Sequence, residues 1–114
     1  MATIADLETH LRNLYEEQSQ ANLEIETTSM ALIAALLCEA VPAAAHLLLD
    51  WSDQGPHHAL ADVTAADGTS LMEQVEDQAE DVAVYVTNLR GAIADRFEPI
   101  NPEGGIYRVE LARF

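Results

Sequence analysis

Met30-Ala31-Leu32-Ile33-Ala34-Ala35-Leu36-Leu37-Cys38-Glu39-Ala40-Val41-Pro42-Ala43-Ala44-Ala45-His46-Leu47-Leu48-Leu49 is the stretch whose reading decides the fold. It has the length and apolar character of a membrane span, which needs about 20 such residues. Glu39, Pro42 and His46 interrupt it, and no Lys or Arg stands near either end to orient it. A carboxylate near the middle of a span costs on the order of a few kcal/mol. Proline disfavours helix for the residue before it. The stretch therefore reads as the buried end of a helix, a stop at Pro42, and a buried strand.

Working back from Pro42, Ile4, Leu7, Leu11, Leu14, Gln18, Ala21, Ile25, Thr28, Leu32 and Ala35 alternate three and four residues apart. This is a heptad-like stripe weakened by polar Gln18 and Thr28. A single helix over residues 4–40 would be about 55 Å long at ~1.5 Å per residue. A domain of this size has a radius of gyration of roughly 13 Å, so the helix would overhang. Either it breaks near Glu26-Thr27-Thr28-Ser29, or a second subunit covers the overhang. The long helix with oligomeric packing is the favoured expectation.

Working forward, residues 45–52 alternate with period two. Leu47, Leu49 and Trp51 share one face, and His46, Leu48, Asp50 and Ser52 the other. Asp53-Gln54-Gly55-Pro56 is turn chemistry, residues 58–65 resume as strand, and Ala66-Asp67-Gly68-Thr69 turns again. Ser70 and Glu73 match a capping box. Behind them Leu71, Val75, Ala79, Val82, Val86, Leu89 and Ile93 give one apolar face, predicting helix to about Phe97. The β-branched run 82–87 would also suit a strand, but seven in-register positions favour helix. Pro99, Pro102 and Gly104-Gly105 read as loop, and residues 106–114 as a last strand. The predicted fold is a single α+β domain, 1–114, ordered α-β-β-α-β. Two amphipathic helices cover one face of a small antiparallel sheet.

Composition bounds the function. The 114 residues carry 20 Asp plus Glu against five Lys plus Arg, a formal charge of −15. All five bases are arginines, and none falls between Asn13 and Leu89, where 14 of the acids lie. Such a field repels nucleic acid and anionic lipid and attracts cationic surfaces. No direct nucleic-acid or membrane partner is expected. The first residues have neither a basic nor an apolar segment, so no signal peptide is expected, and a cytoplasmic location fits. Cys38 is the lone cysteine, within the apolar run, and reads as a small buried hydrophobe.

Motifs for chemistry are scarce. No GxGxxG, GxxxxGK[ST], GxSxG or HExxH occurs. Histidines stand at positions 10, 46, 57 and 58. His57 and His58 would point to opposite faces of a strand, so a metal shared with Asp53 requires a bent loop. Residues 62–73 superficially suggest a calcium loop. Aligning Gly68 with the invariant glycine puts Val63 and Ala65 where carboxylates belong and Gln74 where the bidentate Glu belongs. No cofactor or metal is expected.

One constellation stands out: Glu73, Glu76, Asp77, Glu80 and Asp81 place five carboxylates in nine residues of the second helix, opposite its apolar stripe. They read as a solvated face or as a docking ridge for a basic protein. Trp51, ending its strand, is either core or an interface anchor. The sequence thus favours a non-catalytic acidic interaction protein of inhibitor, immunity or accessory-subunit type. Two alternatives stay open: a structural homo-oligomer whose acidity reflects a high-GC or salt-adapted source, and a small ligand- or metal-binding enzyme.

Overall fold

The computed structural model describes all residues except 1, 52–54, 56 and 102. Helix α1 (Ile4–Ala40) is followed by β1 (Ala44–Asp50), β2 (Ala59–Ala65), α2 (Glu76–Val86), β3 (Glu98–Asn101) and β4 (Ile106–Glu110). Short 3-10 turns cover Ala94–Arg96 and Leu111–Arg113. The sheet is antiparallel in the order β2-β1-β4-β3. The chain is α+β in the expected order, with one strand more. The 30–49 stretch divides as expected at Val41 and Pro42.

α1 is one unbroken helix. Thr3 and Asp6 cap each other's backbone N–H reciprocally, both at 3.2 Å. This capping box fixes the helix start. The Glu26-Thr27-Thr28-Ser29 segment does not break it. The overhang is real: the molecule measures 61 × 31 × 22 Å with a radius of gyration of 17.1 Å. Every described residue of α1 before Glu26 is exposed. Only Glu26, Ser29, Met30, Ile33, Ala34 and Leu37 are buried.

Those α1 residues join Leu47 and Leu49 of β1, Val63 of β2, Val82 and Val86 of α2, and Val109 of β4 in one core. Leu47 stands opposite both Val63 and Val109 in register, so one sheet face is apolar and covered. The opposite face pairs Leu48 with Asp62 and Arg108, and His46 with Thr64 and Glu110. Among the described residues no helix lies on that face, and Arg108 forms an ion pair there with Glu98, Nη2 to Oε2 at 2.6 Å.

α2 is shorter at both ends than the apolar spacing predicts. It begins at Glu76 with no side-chain cap. The expected Ser70–Glu73 capping box does not form, because the helix starts only at Glu76; the Ser70 hydroxyl donates to Asp62 Oδ1 at 2.8 Å and accepts from Met72 N at 3.5 Å. The backbone there covers the edge of β2 instead: Leu71 N donates to Val63 O at 2.7 Å. At the other end the Thr87 hydroxyl bonds Val84 O at 2.6 Å and the helix stops. Leu89 and Ile93 still reach the core, but from turns. Glu98–Asn101, expected as loop, pairs with β4 as an edge strand. Its Pro99 is tolerated because an edge strand needs donors on one side only.

Candidate functional site

The junction between α1 and the turn after α2 is built around a buried carboxylate. Glu26 Oε1 accepts from three successive backbone N–H groups, Arg90 at 3.1 Å, Gly91 at 3.2 Å and Ala92 at 3.0 Å. Oε2 accepts a second bond from Ala92 N at 3.1 Å. Successive amides converge on one anion when the turn passes through positive φ, and Gly91 has φ +109°. One helical turn on, Asn88 Nδ2 donates to Ser29 Oγ at 3.1 Å. Glu26 and Ser29 thus tie α1 to the body of the protein. A notch of about 440 Å³ lies beside them, lined by Gln18, Asn22, Ile25, Glu26, Asn88, Arg90 and Ala92. With the Glu26 carboxylate saturated by backbone donors, the junction is structural and offers no free base.

The second unusual group is His58. It is fully buried, and neither ring nitrogen has a hydrogen-bond partner among the described residues. Three aromatic rings surround it: Trp51 at 4.6 Å between centroids, and Phe97 and Tyr107 edge-on at 5.4 and 5.7 Å. Burial, helped by neighbouring His57, lowers its pKa to about 4 against an opposing pull from Asp50. The ring is therefore neutral near pH 7. Trp51 is half-buried and packs on Gly91, where an added Cβ would sit 2.9 Å from its ring. The indole thus lies between the His58 ring and the Gly91 backbone. His57 turns Nδ1 to the His58 carbonyl at 2.9 Å. Asp53, the third candidate metal ligand, lies outside the described residues. Among the described residues no three His, Cys, Asp or Glu side chains are grouped to hold a metal. His10 is exposed and His46 half-buried on the open sheet face. Half-buried Cys38 packs against the core, its Sγ 3.7 Å from Ala44 O.

The acidic ridge is the third feature. Glu76, Asp77, Glu80 and Asp81 lie on α2 and all are exposed. Glu73 is exposed too, but it stands in the turn before the helix and extends the ridge from there. The two ion pairs between described side chains, Arg108–Glu98 and Arg113–Glu110, involve none of the five. No protein-family model matches this chain, and neither a characterised protein nor a solved structure proves similar to it.

Proposed function

We propose that this chain is a non-catalytic interaction protein whose α2 ridge docks a basic protein surface, as an inhibitor, immunity protein or accessory subunit does. The observation that carries this reading is the set of five exposed carboxylates, Glu73, Glu76, Asp77, Glu80 and Asp81, without ion-pair partners among the described residues. They lie in a chain of net charge −15 with no base between Asn13 and Leu89. Each ion pair to a partner contributes below about 1 kcal/mol at an exposed site. The collective field acts on encounter, where steering raises association rates by roughly tens to hundreds of fold.

The test changes Glu73, Glu76, Asp77 and Glu80 together to Gln, which leaves helix propensity nearly constant. Affinity capture from an extract of the source organism at moderate salt compares both forms. A cationic protein retained by the native chain and lost by the variant supports the reading. Association rates at two salt concentrations should then be slower and less salt-dependent for the variant. Equal capture and equal rates would reduce the ridge to solvation and favour the structural homo-oligomer.

A further inference from the structure

We propose that two copies of this chain pair in parallel and in register through the outward face of α1. This surface is separate from the α2 ridge, and the inference stands whether or not the ridge has a partner. Its basis is that α1 has two apolar faces. One, made by Glu26, Ser29, Met30, Ile33, Ala34 and Leu37, docks on the body. The other is the heptad stripe Ile4, Leu7, Leu11, Leu14, Gln18, Ala21, Ile25, Thr28, Leu32 and Ala35. All ten positions are exposed, including those in the docked half. Ile4, Leu7, Leu11, Leu14, Ile25 and Leu32 expose between 40% and 77% of their surface.

The chain's own body does not cover this stripe. Glu26 and Ser29 bind α1 to the turn after α2 on the docking side. At about 100° per residue, the stripe of the docked half lies roughly 150° around the axis from that side. Two helices joined along the stripe would therefore hold their bodies on the outside, clear of each other. The seam runs about 47 Å at ~1.5 Å per residue, more than four heptads. The projecting segment of some 22 residues packs on nothing in the body, and most helical stability in proteins comes from packing an amphipathic face, which a second copy would supply.

A second copy fits this face better than a foreign cation-rich surface because the seam is apolar and its flanks avoid like charges. With Ile4 at position a and Leu7 at d, the flanking positions are Glu8, Tyr15 and Asn22 on one side and His10, Glu17 and Glu24 on the other. In a parallel pair each flank residue meets the partner's residue five positions on. His10 then faces Tyr15 and Glu17 faces Asn22, while Ser29, the position opposite Glu24, is buried against the body, so no acid meets an acid despite the −15 charge. The a positions are Ile4, Leu11, Gln18, Ile25 and Leu32 and the d positions Leu7, Leu14, Ala21, Thr28 and Ala35; isoleucine at a with leucine at d, the combination that favours two parallel strands, occupies part of this seam. Gln18 settles the register: in register, at an a position, it meets its own copy and the two amides bond each other. A shift of one heptad sets it against leucine or isoleucine.

The test is sedimentation of the full chain from 1 to 100 µM. The native chain is expected to be dimeric in the upper part of that range. The double substitution Leu11→Glu and Leu14→Glu should weaken the dimer at least 100-fold while α2, the sheet and the core stay folded by near-ultraviolet circular dichroism. Orientation is read by Leu7→Cys in a Cys38→Ser background. A parallel pair brings the two new thiols together and oxidation yields a covalent dimer; an antiparallel pair holds them tens of ångströms apart. A native chain that stays monomeric at 100 µM overturns the proposal. So does a dimer indifferent to the two glutamates, or one in which position 7 does not cross-link.

Discussion

The two halves of α1 are continuous in backbone and opposite in circumstance. Up to Ile25 every described residue is exposed, leucines and isoleucines included. From Glu26 onward one face disappears into the core while the other stays in solvent. The docked half is the richer in apolar residues, ten of its 15 against nine of 22, yet the exposed heptad stripe runs through both. What separates them is whether a tertiary element reaches the helix, and the boundary falls on Glu26, the first residue tied to the turn after α2. A regular stripe states that a surface must be covered; it does not say by what.

The sharpest test of this difference is a pair of truncations. Met30→Ala or Leu37→Ala removes a fully buried side chain and should cost about 2–5 kcal/mol in urea unfolding. Leu11→Ala, in the projecting half, should change the stability of the monomeric fold by less than about 0.5 kcal/mol. Equal costs would mean that the projecting half packs on the body after all.

A carboxylate pair comes next. Glu26→Ala strands three backbone N–H groups in a buried junction, and should destabilise by roughly 2–4 kcal/mol. Glu24→Ala, two residues earlier and exposed, should cost a few tenths of a kcal/mol at most. Hydrogen exchange at Arg90, Gly91 and Ala92 should accelerate in the first variant alone. Unchanged exchange there would remove Glu26 as the anchor of the docked half.

Gly91→Ala acts on the same junction from the other side. The residue sits at φ +109° with Trp51 where a methyl would go. A loss of about 1–3 kcal/mol is expected, from backbone strain and overpacking together. A neutral result would show that Trp51 moves freely and does not fix the turn.

His58 gives a smaller, pH-dependent effect confined to the body. Its folded-state pKa of about 4 lies below the ordinary value of 6.5. The unfolded chain therefore binds the proton more readily, and stability is full above pH 6.5 and declines as pH falls toward 4. The loss over that window should be roughly 1–3 kcal/mol. His58→Phe should flatten this component, since a phenyl ring suits the three aromatic neighbours and leaves no buried nitrogen unpaired. An unaltered pH slope in the variant would assign acid sensitivity elsewhere.

Legibility in the sequence followed the range of the forces involved. Pro42, the period-two alternation read over residues 45–52 and the Asp67-Gly68 turn act within a few residues; the helix stops before Pro42 and the turn forms as the spacing predicts, and the strand itself runs Ala44–Asp50. The Thr3–Asp6 cap was equally local: a threonine three residues before an acid is the signal, and it is present in the chain. The ends of α2 went the other way. Ser70 bonds both locally, accepting from Met72 N, and to Asp62 eight residues back, while its backbone bridges Thr64 at the sheet edge, so the helix begins only at Glu76. Leu89 and Ile93 kept helical spacing without helix, because burial constrains where a side chain goes and not how the backbone brings it there.

By itself, the sequence determined the α+β order, the apolar face of β1, the end of α1 before Pro42, the acidity and the exposure of the α2 carboxylates. All of these follow from neighbouring residues or from simple counting. Only the tertiary structure decided that Glu26-Thr27-Thr28-Ser29 anchors the helix instead of breaking it, that His58 lies among Trp51, Phe97 and Tyr107, and which α1 face is left bare. The reason is physical. Glu26 meets its donors 64 to 66 residues along the chain. A carboxylate's solvation, a histidine's protonation and a leucine's burial depend on what folding brings beside them, and no local pattern carries that information.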